Sequence, residues 1–254
     1  MRQLVRAGAW MSALVLFLGG VAFAQESAYT DEQAQAAGGH PQDPWERYNR
    51  AVFSFNETVD RYTLKPVAQA YRAVMPDLAE RAVSNFFTNL SEPRNLLNNI
   101  LQGKGEGAMI TTARFLFNST FGLGGLIDVA TGFDLPEQDE DFGQTLGAWG
   151  VDSGPFLMLP LLGPSTVRDA GGLAVDVVTP GLHDEIDSPE KYYLAGLKAV
   201  EVRARVLPLE RAVMEGDRYW LLRTAYLQKR EYQVRDGQVD DPFTDDDDLM
   251  FDDF

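Results

Sequence analysis

Apolar residues recur along the first part of the chain at helical spacing. Trp45, Tyr48, Val52, Phe55, Val59 and Tyr62 follow one another in alternating steps of three and four, which places all six on one helix face. Such a helix would be about 28 Å long. Asp43-Pro44-Trp45-Glu46 opens it, with Asp43 suited to the cap, Pro44 to the first turn and Glu46 able to reach back. A second helix is expected after Pro66, with Val67, Ala70, Tyr71 and Val74 aligned and Pro76 ending it. Asp77-Leu78-Ala79-Glu80 reads as another capping box, followed by a wide apolar face of Leu78, Ala82, Val83, Phe86, Phe87 and Leu90. A separate segment beginning at Ser91 or Glu92 groups Leu96, Leu97, Ile100 and Leu101, with Gly103 as its stop.

The pattern then changes. From Gly107 to Thr131 the chain is strongly apolar and glycine-rich, with Arg114 and Asp128 as its charges. The stretch between them falls short of the roughly 20 residues a spanning helix needs. A buried core helix is one reading of it, which the residues leave open. An acidic loop follows, from Asp134 to Asp141. The segment from Gly154 to Pro164 holds Phe156, Leu157, Met158, Leu159, Leu161 and Leu162 around Pro160. Lacking β-branched residues, it is a poor core strand, and Pro160 spoils a regular helix. A short apolar loop or broken helix is expected, packed inside the protein or dipping into lipid. Ser188-Pro189-Glu190 starts a helix that carries Tyr193, Leu197, Val200, Ala204 and Leu207. A last, heavily charged helix runs from about Asp217 to Val234 and is closed by Asp236-Gly237. The expected fold is all-α and single-domain, with short apolar segments bracketed by Gly and Pro.

Composition narrows the function. A net charge of −16 argues against nucleic acid, which needs clustered Lys and Arg, and against electrostatic adhesion to anionic lipid. Contact with a membrane must then be mainly apolar. Eight aspartates between Asp240 and Asp253, with no Lys or Arg among them, supply half of that net charge and make 238–254 a disordered acidic tail in expectation. Residues 1–24 read as an export signal: Arg2 and Arg6, an apolar run, then Ala22-Phe23-Ala24 before Gln25. Cleavage there competes with an uncleaved N-terminal anchor. Residues 25–42 form a flexible lead-in and 43–237 the folded body.

Catalytic chemistry is hard to find. The two histidines, His40 and His183, lie far apart in the sequence, and no H-E-x-x-H occurs. Gly150-Val151-Asp152-Ser153-Gly154 departs from G-x-S-x-G by placing its serine one position late. Gly103-Lys104-Gly105-Glu106-Gly107 lacks the ending of a phosphate loop, and the acidic loop lacks the alternating ligands of a calcium site. The N-x-[ST] triplets at Asn56, Asn89 and Asn118 fall in helical stretches. No enzyme, cofactor or metal is expected.

A series of spaced blocks carries a resemblance. Asp43-Pro44-Trp45-Glu46-Arg47-Tyr48-Asn49-Arg50 is followed by Phe53-Ser54-Phe55-Asn56, and then by Ser84-Asn85-Phe86-Phe87-Thr88-Asn89-Leu90-Ser91-Glu92-Pro93. Leu101-Gln102-Gly103, Thr112-Ala113-Arg114-Phe115 and Asn118-Ser119-Thr120 come next. Gly122-Leu123-Gly124-Gly125-Leu126-Ile127-Asp128, Phe142-Gly143-Gln144-Thr145-Leu146-Gly147 and Gly154-Pro155-Phe156 continue the series. Arg168-Asp169 and Tyr226-Leu227-Gln228-Lys229-Arg230 complete it. In this order, over Asp43 to Gly237, they are similar to the MlaA (VacJ) family.

The resemblance implies a ring-like helical body, monotopic and embedded in the periplasmic leaflet of a Gram-negative outer membrane. An amphipathic channel through it would let mislocalised phospholipid descend from the outer leaflet to a periplasmic carrier for retrograde transport. A trimeric outer-membrane porin is the implied protein partner. The alternative reading is a non-conducting periplasmic scaffold bound to that porin, with the acidic tail as a docking peptide. The family is normally a lipoprotein with an acylated cysteine, whereas this chain has no cysteine, so embedding is expected to rest on the body itself. The six apolar side chains of 156–162 would supply roughly 9–18 kcal/mol gross if fully buried. One acyl chain supplies about 5.5 kcal/mol. Candidates for the lipid channel or membrane-facing surface are Asn49, Ser54, Phe55, Asn56, Phe156, Leu157, Met158, Leu159, Leu161 and Leu162. Hinge or gate candidates are Gly122, Gly124, Gly125, Gly143, Gly147 and Gly150, together with the acidic loop.

Overall fold

A computed structural model describes residues 41–179, 190–210 and 216–237. The export signal, most of the lead-in, the acidic tail, both histidines and the Ser188-Pro189 start lie outside these residues. The described chain is mostly helical: α1 (Glu46–Tyr62), α2 (Leu64–Val74), α3 (Asp77–Leu101), α4 (Gly105–Thr120), a 3₁₀ turn (Ala130–Phe133), α5 (Phe142–Ala148), α6 (Val167–Val178), α7 (Glu190–Glu210) and α8 (Arg218–Val234). Between α5 and α6 lies a β-hairpin, β1 (Phe156–Leu159) and β2 (Gly163–Thr166). No described helix is long and apolar enough to cross a membrane.

Four expectations need correction, the first being the capping box at 77–80: Asp77 is already the first helical residue, Pro76 holds the cap position and no side chain caps it. The 77–101 region is one 25-residue helix running through Pro93, not two segments. Asp43 caps nothing; it is buried and binds Asn49 and Arg223 instead. The apolar segment at 154–164 is neither loop nor broken helix. Phe156 pairs with Thr166 and Leu159 with Gly163 in an antiparallel ladder, and Pro160 sits in the turn. Pro164 is tolerated because its partner Met158 turns its N–H away from β2, toward Asn49 Oδ1 at 2.8 Å.

Packing proceeds around a circuit. Helix α1 packs on α2, α2 on α7, α7 on α3, α3 on α5, α5 on α8, α8 on β2, and β1 returns to α1. Helix α4 packs on α3, and α6 on α5 and the hairpin. The buried apolar clusters are small and separate. Ala68, Ala204 and Leu207 join α2 to α7, while Phe156, Met158 and Tyr219 join the hairpin to α8.

Candidate functional site

The interior is polar. Among the described residues, twenty polar or charged side chains are buried against eight apolar ones. Helix α3 turns Asn89, Glu92, Asn95, Asn98 and Asn99 inward and leaves Leu97, Ile100 and Leu101 exposed. Helix α4 buries Thr111, Arg114 and Asn118 and exposes Met109 and Leu116. On α1, Asn49 is the buried residue, while Trp45, Tyr48, Phe55 and Tyr62 of the apolar stripe stand exposed. The helical periodicity is correct, but most of the stripe faces outward, with Val52 and Val59 half-buried and Val52 packed on the cluster of Phe156, Met158 and Tyr219.

Arg114 centres the first polar cluster. Its guanidinium donates to Glu92 Oε1 at 3.1 Å, to the Leu135 carbonyl at 2.6 Å and to Asp128 at 3.4 Å. Asn118 donates to Asp128 and accepts from the backbone N–H groups of Val129 and Ala130. Helices α3 and α4 are thereby tied to the 128–135 loop. Burial pushes the Glu92 carboxyl up to about 7 against the pull of Arg114. Burial also resists ionisation of Asp128, yet Thr131 and Arg114 hold it below the usual range.

A second cluster joins α5, α6 and α8. Arg230 makes a two-pronged pair with Asp141, both contacts at 2.6 Å, and reaches Asp169 Oδ1 at 3.1 Å. Tyr226 donates to Asp169 at 2.8 Å, and Arg168 donates to it at 3.0 Å. Although burial opposes it, these partners keep both carboxyls below their ordinary values. Burial and Asp169 push the Tyr226 phenol up. The acidic loop is therefore tethered at its end. Glu140 is buried, receiving Gln102 and Lys104 at 2.9 Å each, and Asp141 caps α5 through the Gln144 N–H.

The hairpin is fastened to α1 by side-chain amides. Asn49 donates to the Phe156 carbonyl at 3.1 Å while accepting from Met158 N–H. Two turns further on, Asn56 donates to the Leu159 carbonyl at 2.9 Å and accepts from Leu161 N–H at 2.8 Å. A two-stranded hairpin leaves its outer edge unpaired. Here asparagines seven residues apart substitute for a third strand. Tyr219 OH and Arg223 meet Asp43 beside Asn49, closing the same corner.

The predicted residues therefore separate. Asn49 and Asn56 hold the hairpin, whereas Ser54 and Phe55 lie exposed on the outer side of α1. Phe156 and Met158 are fully buried, Leu157 and Leu159 half-buried, and Leu161 and Leu162 stand out at the hairpin tip. That leaves roughly 3–6 kcal/mol of gross apolar contribution at the tip, with the rest of the apolar surface supplied by the helices. Of the glycines, Gly122 and Gly125 lie against Asn118 and Asn89, where a Cβ would come within 2.4 and 2.5 Å. Gly143 and Gly147 sit against Arg230 and Arg168 in the second cluster. Gly124 and Gly150 lie in open space with φ of +72° and +86°, as turns require.

Known proteins share this architecture. The model of the MlaA lipoprotein family matches residues 41–233. The chain belongs to the MlaA lipoprotein family. The intermembrane phospholipid transport system lipoproteins MlaA of Shigella flexneri and Escherichia coli (strain K12) are each 36% identical to it over 219 residues, covering 84% of both chains. That of Haemophilus influenzae is 32% identical over 202 residues, covering 78% of this chain and 81% of its own. A solved structure described as "Structural basis for maintenance of bacterial outer membrane lipid asymmetry" is 36% identical, with a TM-score of 0.67. It is covered to 98%, over 76% of this chain.

In the folded body the buried charges are the residues whose partners the sequence pattern does not show. Arg114 and Asp128 mark the ends of an apolar run in the sequence, and nothing local names Glu92 as the partner. The available signal was physical: a charge inside an apolar helix needs a counter-charge when buried. Among the described residues, no group of three or more His, Cys, Asp or Glu stands ready to hold a metal.

Proposed function

We propose that this chain is a monotopic, ring-like conduit in the outer membrane. It removes mislocalised phospholipid from the outer leaflet and passes it to a periplasmic carrier for retrograde transport, seated against a trimeric porin. Relatives named for intermembrane phospholipid transport, and a related structure concerned with outer-membrane lipid asymmetry, support the phospholipid part.

One observation supports the conduit part: polar groups turn inward and apolar groups outward around a circuit of helices closed by the hairpin. In water this arrangement is costly, because exposed Leu, Ile and Phe gain nothing and buried charges lose hydration. In a bilayer the exterior is matched to the hydrocarbon, and polar groups must satisfy one another. A phospholipid crossing a leaflet meets its barrier at the headgroup, which hydrocarbon solvates poorly. A polar path lowers that barrier while the acyl chains stay on apolar surface. No bond is made or broken.

The test is a count of outer-leaflet phospholipid in cells lacking the chain, with and without its reintroduction. Accumulation reversed by the intact chain is expected. Unchanged outer-leaflet phospholipid would leave a non-conducting porin scaffold as the better reading.

A further inference from the structure

Between α2 and α7 lies a cavity of about 670 Å³ that the polar clusters above do not use. Lys65, Gln69, Arg72 and Ala73 line it from α2; Leu207, Pro208 and Glu210 line it from α7. Its size falls within the range of small-molecule sites. The α2 residues are spaced as one helix stripe, and Val67 and Val74, 51% and 84% exposed, lie on the opposite side of that helix. Helix α2 thus shows charges to the cavity and valines away from it.

The charges are mixed and open to exchange. Lys65 Nζ lies 3.0 Å from Glu210 Oε1, and Arg72 Nε reaches Glu80 only at 4.0 Å. Arg72 is 41% exposed. Glu210 is also held by Arg203 at 3.0 Å and approached by Arg218 at 3.7 Å; burial resists its charge, but Arg203 and Lys65 keep its carboxyl below the usual range. Two cations, an amide and a carboxylate thus surround one space beside the apolar Leu207, Pro208 and Ala73.

We propose that this cavity binds the headgroup of a zwitterionic phospholipid. Lys65 and Arg72 take the phosphodiester, Glu210 takes the ammonium, and the start of the acyl region rests on Leu207 and Pro208. A phosphodiester needs cationic donors, which Lys and Arg supply. The carboxylate on the same wall can meet the ammonium of a zwitterionic headgroup, a partner that a headgroup of net negative charge lacks. The proposal deepens the conduit reading by giving it a resting point for the headgroup.

Native mass spectrometry of the intact, detergent-solubilised chain, incubated with equal amounts of phosphatidylethanolamine and phosphatidylglycerol, tests it. Wild type should retain mainly phosphatidylethanolamine. The Lys65→Gln/Arg72→Gln double variant should lose retention about tenfold, as expected for losing charge-assisted contacts. Arg72→Lys, which keeps the charge at an exposed position, should retain lipid close to wild type. Glu210→Gln should erase the preference between the two lipids. Undiminished retention by the double variant overturns the site. A preference that survives Glu210→Gln overturns the ammonium assignment. Full displacement of lipid by an equal concentration of inorganic phosphate overturns the lipid assignment and makes it a simple phosphate site. Outer-leaflet lipid counts in cells test the conduit and retention by the purified chain tests the cavity, so either can fail alone.

Discussion

Asn49 does the work of a strand with one side chain. It is fully buried and answers a carbonyl, an N–H and the Asp43 carboxylate at once. Asn49→Ala strands all three groups, and the expected cost is about 2–4 kcal/mol, read as a lower denaturant midpoint in detergent. Arg230→Ala leaves Asp141 and Asp169 facing each other without their shared cation. Breaking a buried pair in this way costs about 3–5 kcal/mol, far more than an exposed pair such as Arg235–Glu231 supplies. Glu92 sets a pH dependence of opposite sense to most acids. Its folded-state pKa is raised to about 7 from 4.5, so the folded state binds the proton more tightly than the unfolded chain. Its contribution is complete below pH ~4.5 and fades as pH rises toward ~7. Glu92→Gln should therefore flatten the change in melting temperature between pH 5 and 7, measured against wild type in the same detergent. A slope left intact in that variant assigns it to another group.

At the scale of elements, the sequence was most legible where local chemistry decides. Asp217 caps α8 through the N–H groups of Tyr219 and Trp220, and Gly237 ends it with φ of +79°, where the pattern placed both signals. Helix α1 also ends at Tyr62 as the periodicity requires. Orientation was not legible, because spacing shows that residues share a face but not what that face meets. The hairpin failed for a related reason. Its strands draw stability from Asn49, Asn56 and Tyr219, more than fifty residues away in sequence, and β-propensity reflects such packing rather than the backbone alone. Polar clusters were invisible for the same reason. Neighbouring glycines on α6 separate packing from propensity. A Cβ on Gly172 would come within 2.4 Å of Gly143 N, whereas one on Gly171 meets nothing. Gly172→Ala should cost about 1–3 kcal/mol by forcing α5 and α6 apart, and Gly171→Ala should stabilise by roughly 0.4–1 kcal/mol. Thermal unfolding of the two variants side by side measures both.

For the whole molecule, the reversal of polarity predicts how it is held. Apolar attachment does not respond to ionic strength, so washing membranes with about 1 M salt should leave the chain in place and detergent should release it. Leu161→Asp/Leu162→Asp puts two charges on the exposed hairpin tip. Its membrane-bound fraction should fall while the amide contacts of Asn49 and Asn56 keep the fold intact. Release of the wild-type chain by salt alone would contradict an apolar seat.

The amide fastening between α1 and the hairpin also dictates an order of assembly. Asn49 and the Phe156 carbonyl it grips are 107 residues apart, and Asp43 and Arg223 are separated by 180. Until the latter half of the polypeptide exists, the early helices have their charged stripes unanswered and their greasy sides bare. Joining ends so distant carries the largest loop entropy in the body, so this clasp should be among the last contacts made. A newly made chain thus has a long window in which it needs shelter from its neighbours before it can shut.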